Sequence, residues 1–222
     1  HSMILNSAHR SRARWIASAR CACLAIPALL NVRLDASLAQ TSGKPPMQSV
    51  RISQEASDSC DAKVKALQSF SNSDNPGKQT TQFSEDEINS YLALELSSEY
   101  HPSLKSLVMS FEESTVQGVI TIDFDQLSLG STKLIAKLLT KLLSGIHNLR
   151  VRGKLLADHG EAQFQLEEAR FDTVTLPNFL VEEIITAVGG KQKPPFDPLQ
   201  PNQMPYRIEK VDVHAGYIVV YQ

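Results

Sequence analysis

The 222-residue chain is short of the features by which catalytic centres announce themselves. It has no GxSxG elbow, no phosphate-cradling P-loop and no GxGxxG turn, so nucleophilic acyl transfer, phosphoryl transfer and dinucleotide chemistry find no support in it. Cysteine is scarce: Cys21 and Cys23 sit in an N-terminal apolar run, with CxC rather than CxxC spacing, and Cys60 stands alone in the remainder. An intramolecular disulfide within that remainder is therefore excluded. Beyond residue 39 the histidines are His101, His147, His159 and His214, none with a Cys, His, Asp or Glu at metal-ligand helical spacing, and no zinc pattern exists. The acidic pairs Glu167-Glu168 and Glu182-Glu183 are neighbours in sequence. Adjacent side chains diverge on a strand and on a helix, so neither pair forms a dyad by itself. The expectation is a protein that is not an enzyme, with no catalytic residue, metal or cofactor.

An excess of positive charge is missing too. The formal net charge is −2, and nucleic-acid binding asks for a basic surface. A long uninterrupted apolar run is also lacking, because "WIASARCACLAIPALL" is broken by Arg20 and Pro27 and makes a poor membrane span. With Arg10, Arg12 and Arg14 before it and small residues at Ser37 and Ala39 after it, residues 1–39 have the layout of a secretory signal peptide. Cleavage after Ala39 removes five arginines and one aspartate and leaves a body of net charge about −6. The alternative is an uncleaved leader that tethers the protein to a membrane. The expected location is periplasmic or secreted.

What is present is a regular alternation of patterns. Residues 40–49, "QTSGKPPMQS", have linker composition, and residues 50–222 read as a single α+β domain. In "ISQEASDSCDAKVKALQSF", Ile52, Ala56, Cys60, Val64 and Leu67 recur at helical spacing behind Ser53 as N-cap. "SNSDNPGKQTT" breaks that helix. "FSEDEI" then supplies Ser84 as N-cap, Glu87 for a capping box and Phe83 against Ile88 as a staple, so a second helix begins at Glu85, carries Ile88, Tyr91, Leu92 and Leu96 on one side, and ends before Pro102.

After Pro102 the apolar period changes from 3.6 to 2. A turn at Glu113-Ser114 pairs Phe111 with Val116, Met109 with Gly118 and Leu107 with Ile120; Ile122 and Phe124 continue that face. A turn at His159-Gly160 pairs Ala157 with Ala162, Leu155 with Phe164 and Gly153 with Leu166. The apolar phase slips across Glu167-Glu168, which reads as a bulge or sharp bend. A helix from Pro177 to the Gly189-Gly190 stop points Phe179, Leu180, Ile184, Ile185 and Val188 inward. Residues 191–205 form a proline-rich loop, and a last hairpin turns at Ala215-Gly216, pairing Val213 with Ile218 and Val211 with Val220. The expected fold is α+β: a strongly bent antiparallel sheet of about six strands in three hairpins, packed against three to four helices.

Between the first two hairpins lies "GSTKLIAKLLTKLLSG", residues 130–145, with lysines at 133, 137 and 141 opposite Leu134, Ile135, Leu138, Leu139, Leu142 and Leu143. Burying six such side chains contributes on the order of 10 kcal/mol, so they do not stay wet. They cover the sheet as a core helix, line a cavity for an apolar molecule, or lie on a membrane surface. Gly118 and Gly153 sit mid-strand on the core face, opposite Met109 and Leu166; glycine there marks a bent sheet or a close approach by a helix or ligand.

Three stretches, "FSEDEINSYL" (83–92), "VTLPNFLVEEII" (174–185) and "MPYRIEKVDVHAGYIVV" (204–220), give the chain a resemblance to bacterial extracytoplasmic proteins of the tubular lipid-binding (TULIP-like) kind, whose functions are lipid-related or unassigned. The resemblance implies a long curved antiparallel sheet wrapped about helices, an apolar groove for a lipid, and no catalytic residues. The body is about one module long, short of a complete tube.

The reading that follows is an extracytoplasmic module that binds a lipid or other apolar small molecule in a groove between bent sheet and amphipathic helices, without nucleic acid and with membrane-surface contact as a further expectation. The expected lining is Met109, Phe111, Ile120, Leu134, Leu138, Leu142, Phe164 and Leu166, with Gly118 and Gly153 making room. The alternative is a structural or protein-interaction domain with a packed core, docking a partner through the proline-rich loop or a sheet edge.

Overall fold

A computed structural model describes residues 50–74, 77–127, 144–172 and 174–222. The expected leader, the linker, and the helix of residues 130–145 as far as 143, with Leu134, Leu138 and Leu142, lie outside the described residues.

The fold is α+β, with antiparallel sheets as expected. Helix α1 (Gln54–Ser71) starts where Ser53 Oγ accepts from Ala56 N at 3.2 Å, and it buries Ser57, Cys60, Val64 and Leu67 along one stripe. Ile52 precedes the cap and is exposed. Strand β1 (Thr80–Ser84) runs straight into α2 (Glu85–Tyr91) through a complete capping box: Glu87 N donates to Ser84 Oγ at 3.1 Å, and Ser84 N to Glu87 Oε2 at 2.6 Å. A π-helical turn (Leu92–Leu96) and a 3₁₀ turn (Ser97–Glu99) carry the chain on, keeping Tyr91, Leu92 and Leu96 buried.

Strands β2 (Leu104–Glu112) and β3 (Thr115–Asp123) form the first hairpin, and β4 (Ile146–Asp158) and β5 (Glu161–Phe171) the second. Then come β6 (Val174–Thr175), α3 (Asn178–Gly190), β7 (Asn202–Gln203) and the third hairpin, β8 (Lys210–His214) and β9 (Tyr217–Tyr221). The pairs Met109 with Gly118, Leu155 with Phe164 and Val213 with Ile218 are all in the expected register. The phase slip in β5 is a bulge: Arg152 opposes Glu168 while Gly153 opposes Leu166, leaving Glu167 as the extra residue. Its carboxylate faces Arg152 Nη1 and Lys154 Nζ, each at 3.4 Å.

The third hairpin belongs to a separate sheet. Among the described residues one sheet runs β2-β3-β4-β5-β6, with β7 also on β5, and the other runs β1-β9-β8. The small sheet caps one end of the large one: Ser114 N donates to Val213 O, Gly216 N to Phe111 O and Gly160 N to Glu209 O. The proline-rich loop is irregular except for β7.

The concave face of the large sheet carries two apolar cores. At the hairpin-turn end, Phe111, Val116 and Ala157 pack with α1, α2 and the small sheet, around Phe83, Ile88 and Ile218. At the other end, Ile122, Leu149, Ala169 and Phe171 pack against Val181, Ile184, Ile185 and Val188 of α3. Phe179 does not join them: it lies at the first turn of α3 on the outer side and is 55% exposed, Val181 taking the inner position. Among the described residues no helix is long and apolar enough to cross a membrane.

Candidate apolar ligand site

The two cores are separate clusters, with Phe164 packed against both. Between them, in the middle of the curled sheet, is a cavity of about 370 Å³. Its floor is the concave face of β2 to β5, where inward positions alternate along each strand: Met109, Gly118, Ile120, Val151, Leu155 and Phe164. Ile185 and Val188 of α3 close one end, and Ile208 lies at the other. The loop after α3 forms the roof, with Phe196, Pro198 and Met204 facing inward.

The roof is fastened to both of its neighbours. Phe164 N donates to Pro198 O at 2.7 Å, Gln163 Nε2 to Leu199 O at 2.7 Å, and Met204 N to Gly160 O at 2.7 Å, tying it to β5 and the turn before it. On the helix side, Phe196 N donates to Gly189 O, and Thr186 Oγ1 donates to Asp197 Oδ2 at 3.1 Å. The loop passes so close to α3 that a β-carbon on Gly189 would lie 1.9 Å from Phe196 O. Only glycine permits that approach.

Among the described residues the lining contains no Asp, Glu, Lys, Arg or His. Its amides serve the framework: Gln192 Nε2 donates to Val188 O, Asn202 Nδ2 to Asp197 O, and Gln203 Nε2 to Glu161 Oε1. Such a chamber offers dispersion contact and shape.

Of the residues singled out from sequence, the structure brings Met109, Gly118, Ile120 and Phe164 together in the lining. Phe111 is one pleat too far toward the turn and is buried in the first core, and Leu166 packs with the second. Neither lines the cavity. Gly153 makes room for its own sheet: an added β-carbon would meet Gln165 O at 2.1 Å, where the bulged strand presses onto β4. Gly118 is open by comparison, with Val151 Cγ2 at 3.2 Å and Met109 Sδ at 3.8 Å from the same construction.

Sequence reasoning missed Val151 and Leu155, which share the inward phase of Gly153, and the roof residues Phe196 and Met204. Large apolar side chains inside a proline-rich loop were the available signal for the roof.

The histidines lie away from the cavity or make structural contacts. His147 Nδ1 is 2.8 Å from Asp172 Oδ2, and its Nε2 is 2.8 Å from Ser144 O, so both nitrogens face acceptors. The Asp172 hydrogen bond raises the imidazole pKa, and the Asn148 N–H followed by His147 lowers that of Asp172. A ring occupied at both nitrogens fastens two loops together and has no free position for a base. His214 stacks on Tyr217 at 4.8 Å, and His101 Nδ1 is 2.9 Å from Ser103 Oγ. Burial raises the Cys60 thiol pKa, which disfavours the thiolate that nucleophilic attack requires. Among the described residues no group of three or more His, Cys, Asp or Glu could hold a metal.

No protein-family model, curated protein or solved structure matches the chain.

Proposed function

We propose that this domain is a binding module for a lipid-like apolar ligand, held between the curled sheet, α3 and the loop that follows it. The cavity carries this reading. The walls are mostly apolar side chains drawn from the strands, α3 and the loop after it, and a hydrocarbon ligand would shield that surface from water. Walls this apolar hold water poorly, since a buried water needs two to four polar partners. A hydrocarbon group satisfies them. The pinned roof adds to the case, because a preformed site loses little entropy on binding. The signal-peptide-like layout of residues 1–39 supports a location outside the cytoplasm, which N-terminal sequencing of the native protein checks.

The packed-core docking alternative is less well supported. α2 side chains pair with the β2 edge of the large sheet at Met109 and Phe111, so less of that edge is open to a partner. Native mass spectrometry of the full chain purified from cells separates the readings. Added mass that organic extraction removes and that proves to be lipid, together with uptake of a fluorescent fatty acid, supports the carrier. A clean mass with no uptake of the probe overturns it.

A further inference from the structure

The perimeter of the cavity is unevenly closed. The floor is a continuous ladder of backbone hydrogen bonds from β2 to β5, and the roof is bonded to β5 and α3 as described. The segment after α2, with Tyr100 and Leu104 in the lining, meets the segment after α3, with Gln192 and Pro195 in the lining, along a seam. His101 N donates to Gln192 Oε1 across it at 3.1 Å. Lys191 and Lys193 flank Gln192; Lys193 is exposed and Lys191 half-buried. Neither is ion-paired with any described residue, whereas most other described cations have an acidic partner. The carbonyls at the end of α3 are already engaged: Val188 O accepts from Lys191 N and Gln192 Nε2, and Gly189 O from Gln192 N and Phe196 N. The helix terminus therefore presents few bare acceptors to repel an anion there.

Resting on the reading above, we propose that the cavity takes a single-chain amphiphile with an anionic head, its tail within the apolar walls and its head at the His101–Gln192 seam beside Lys191 and Lys193. Size suits a tail of one chain. About 370 Å³ is roughly twelve water-sized groups at ~30 Å³ each, the bulk of one alkyl chain of about a dozen carbons. Charge orients it. A carboxylate or phosphate cannot enter a lining without a charged partner, whereas Lys191 and Lys193, on either side of the lining residue Gln192 and not ion-paired with any described residue, attract it through partly screened Coulomb interaction.

Equilibrium dialysis of the full chain with laurate and with 1-dodecanol, of equal length and opposite in charge character, tests this. Wild type binds laurate more tightly than dodecanol. The double variant Lys191→Glu/Lys193→Glu, shown folded by circular dichroism, loses at least fivefold in laurate affinity while dodecanol changes less than twofold. Gln192→Ala, which removes the seam bond, speeds laurate exchange at least threefold. Dodecanol binding with no laurate preference, or equal weakening of both ligands in the double variant, overturns the headgroup site and leaves the cavity reading standing. Unchanged exchange in Gln192→Ala overturns the seam as the entrance. If wild type binds neither ligand, the carrier reading falls and this proposal with it.

Discussion

Asn89 and Met109 are joined twice: the Asn89 amide donates to Met109 O and accepts from Met109 N, both at 2.7 Å, with Asn89 1% exposed. A buried side-chain amide here does the work of a neighbouring strand. Two residues along, Phe111 N donates to Glu85 Oε2 at 2.9 Å. The α2 side chains thus complete the outer edge of β2, which would otherwise present unpaired backbone groups beside an apolar cavity.

Replacing Asn89 by Ala strips both Met109 groups of their partners inside the protein. Each unsatisfied buried group costs roughly 1–3 kcal/mol, so the variant should lose about 2–5 kcal/mol in urea unfolding. It should also aggregate faster than wild type in light scattering, because the β2 edge is opened. A variant as stable as wild type would show that water replaces the amide without loss.

Glu85 separates the hydrogen bond from the charge. Burial raises its carboxyl pKa above the ordinary value of 4.5, against the lowering effect of the Phe111 N–H. The native state therefore holds the proton more readily than the unfolded chain, and stability falls as pH rises from 4.5 through the raised native value. Glu85→Gln keeps an acceptor and removes the ionisation, so it should abolish that slope and match or exceed wild type near neutrality. Glu85→Ala leaves Phe111 N unpaired and should cost about 1–2 kcal/mol. Thermal melts between about pH 4 and 8 distinguish the two.

The two mid-strand glycines should respond differently to the same change. In Gly153→Ala the new methyl collides with the Gln165 backbone at 2.1 Å, and overpacking against a ladder should cost about 2–3 kcal/mol. In Gly118→Ala the methyl enters the cavity, and a small shift of Val151 relieves its 3.2 Å contact. Stability should stay within about 1 kcal/mol of wild type. Fluorescent fatty-acid uptake should fall in Gly118→Ala, and unchanged uptake would place the ligand elsewhere.

The His147–Asp172 pair should give the protein a pH-dependent fastening. The His147 pKa is raised from 6.5 in the folded state, so its contribution is complete below 6.5 and is lost as pH rises through the native value. The Asp172 pKa is lowered from 3.8, so its contribution is present above 3.8 and is lost as pH falls through the native value. The difference in melting temperature between wild type and His147→Leu should be largest at about pH 5–6 and shrink toward pH 9. A difference independent of pH would mean that the ring contributes only its packing on Phe124 and Phe171.

Local signals were read well from the sequence. The Ser53 and Ser84 caps, the start of α2 at Glu85, all three hairpin registers and the Glu167 bulge depend on residues close in the chain. Strand β1 was missed because "TTQFS" is short and mostly polar, and it becomes a strand only when β9 supplies its partners. The inward placement of Phe179 failed for a related reason. Helical spacing defines a stripe, but the width of the stripe that the sheet covers depends on how α3 seats.

By itself, the sequence determined which residues point inward, because a period of two on strands and 3.6 on helices follows from backbone geometry alone. It also determined how each hairpin folds back on its neighbour. Only the tertiary structure decided that the third hairpin leaves the large sheet to pair with Thr80–Ser84, and that the core divides into two clusters beside the cavity. Whether inward-pointing side chains fill the space between elements depends on the curl of the sheet and the path of the loop after α3, which bring together residues such as Met109 and Phe196 from opposite ends of the domain. No short-range pattern encodes a distance of that kind.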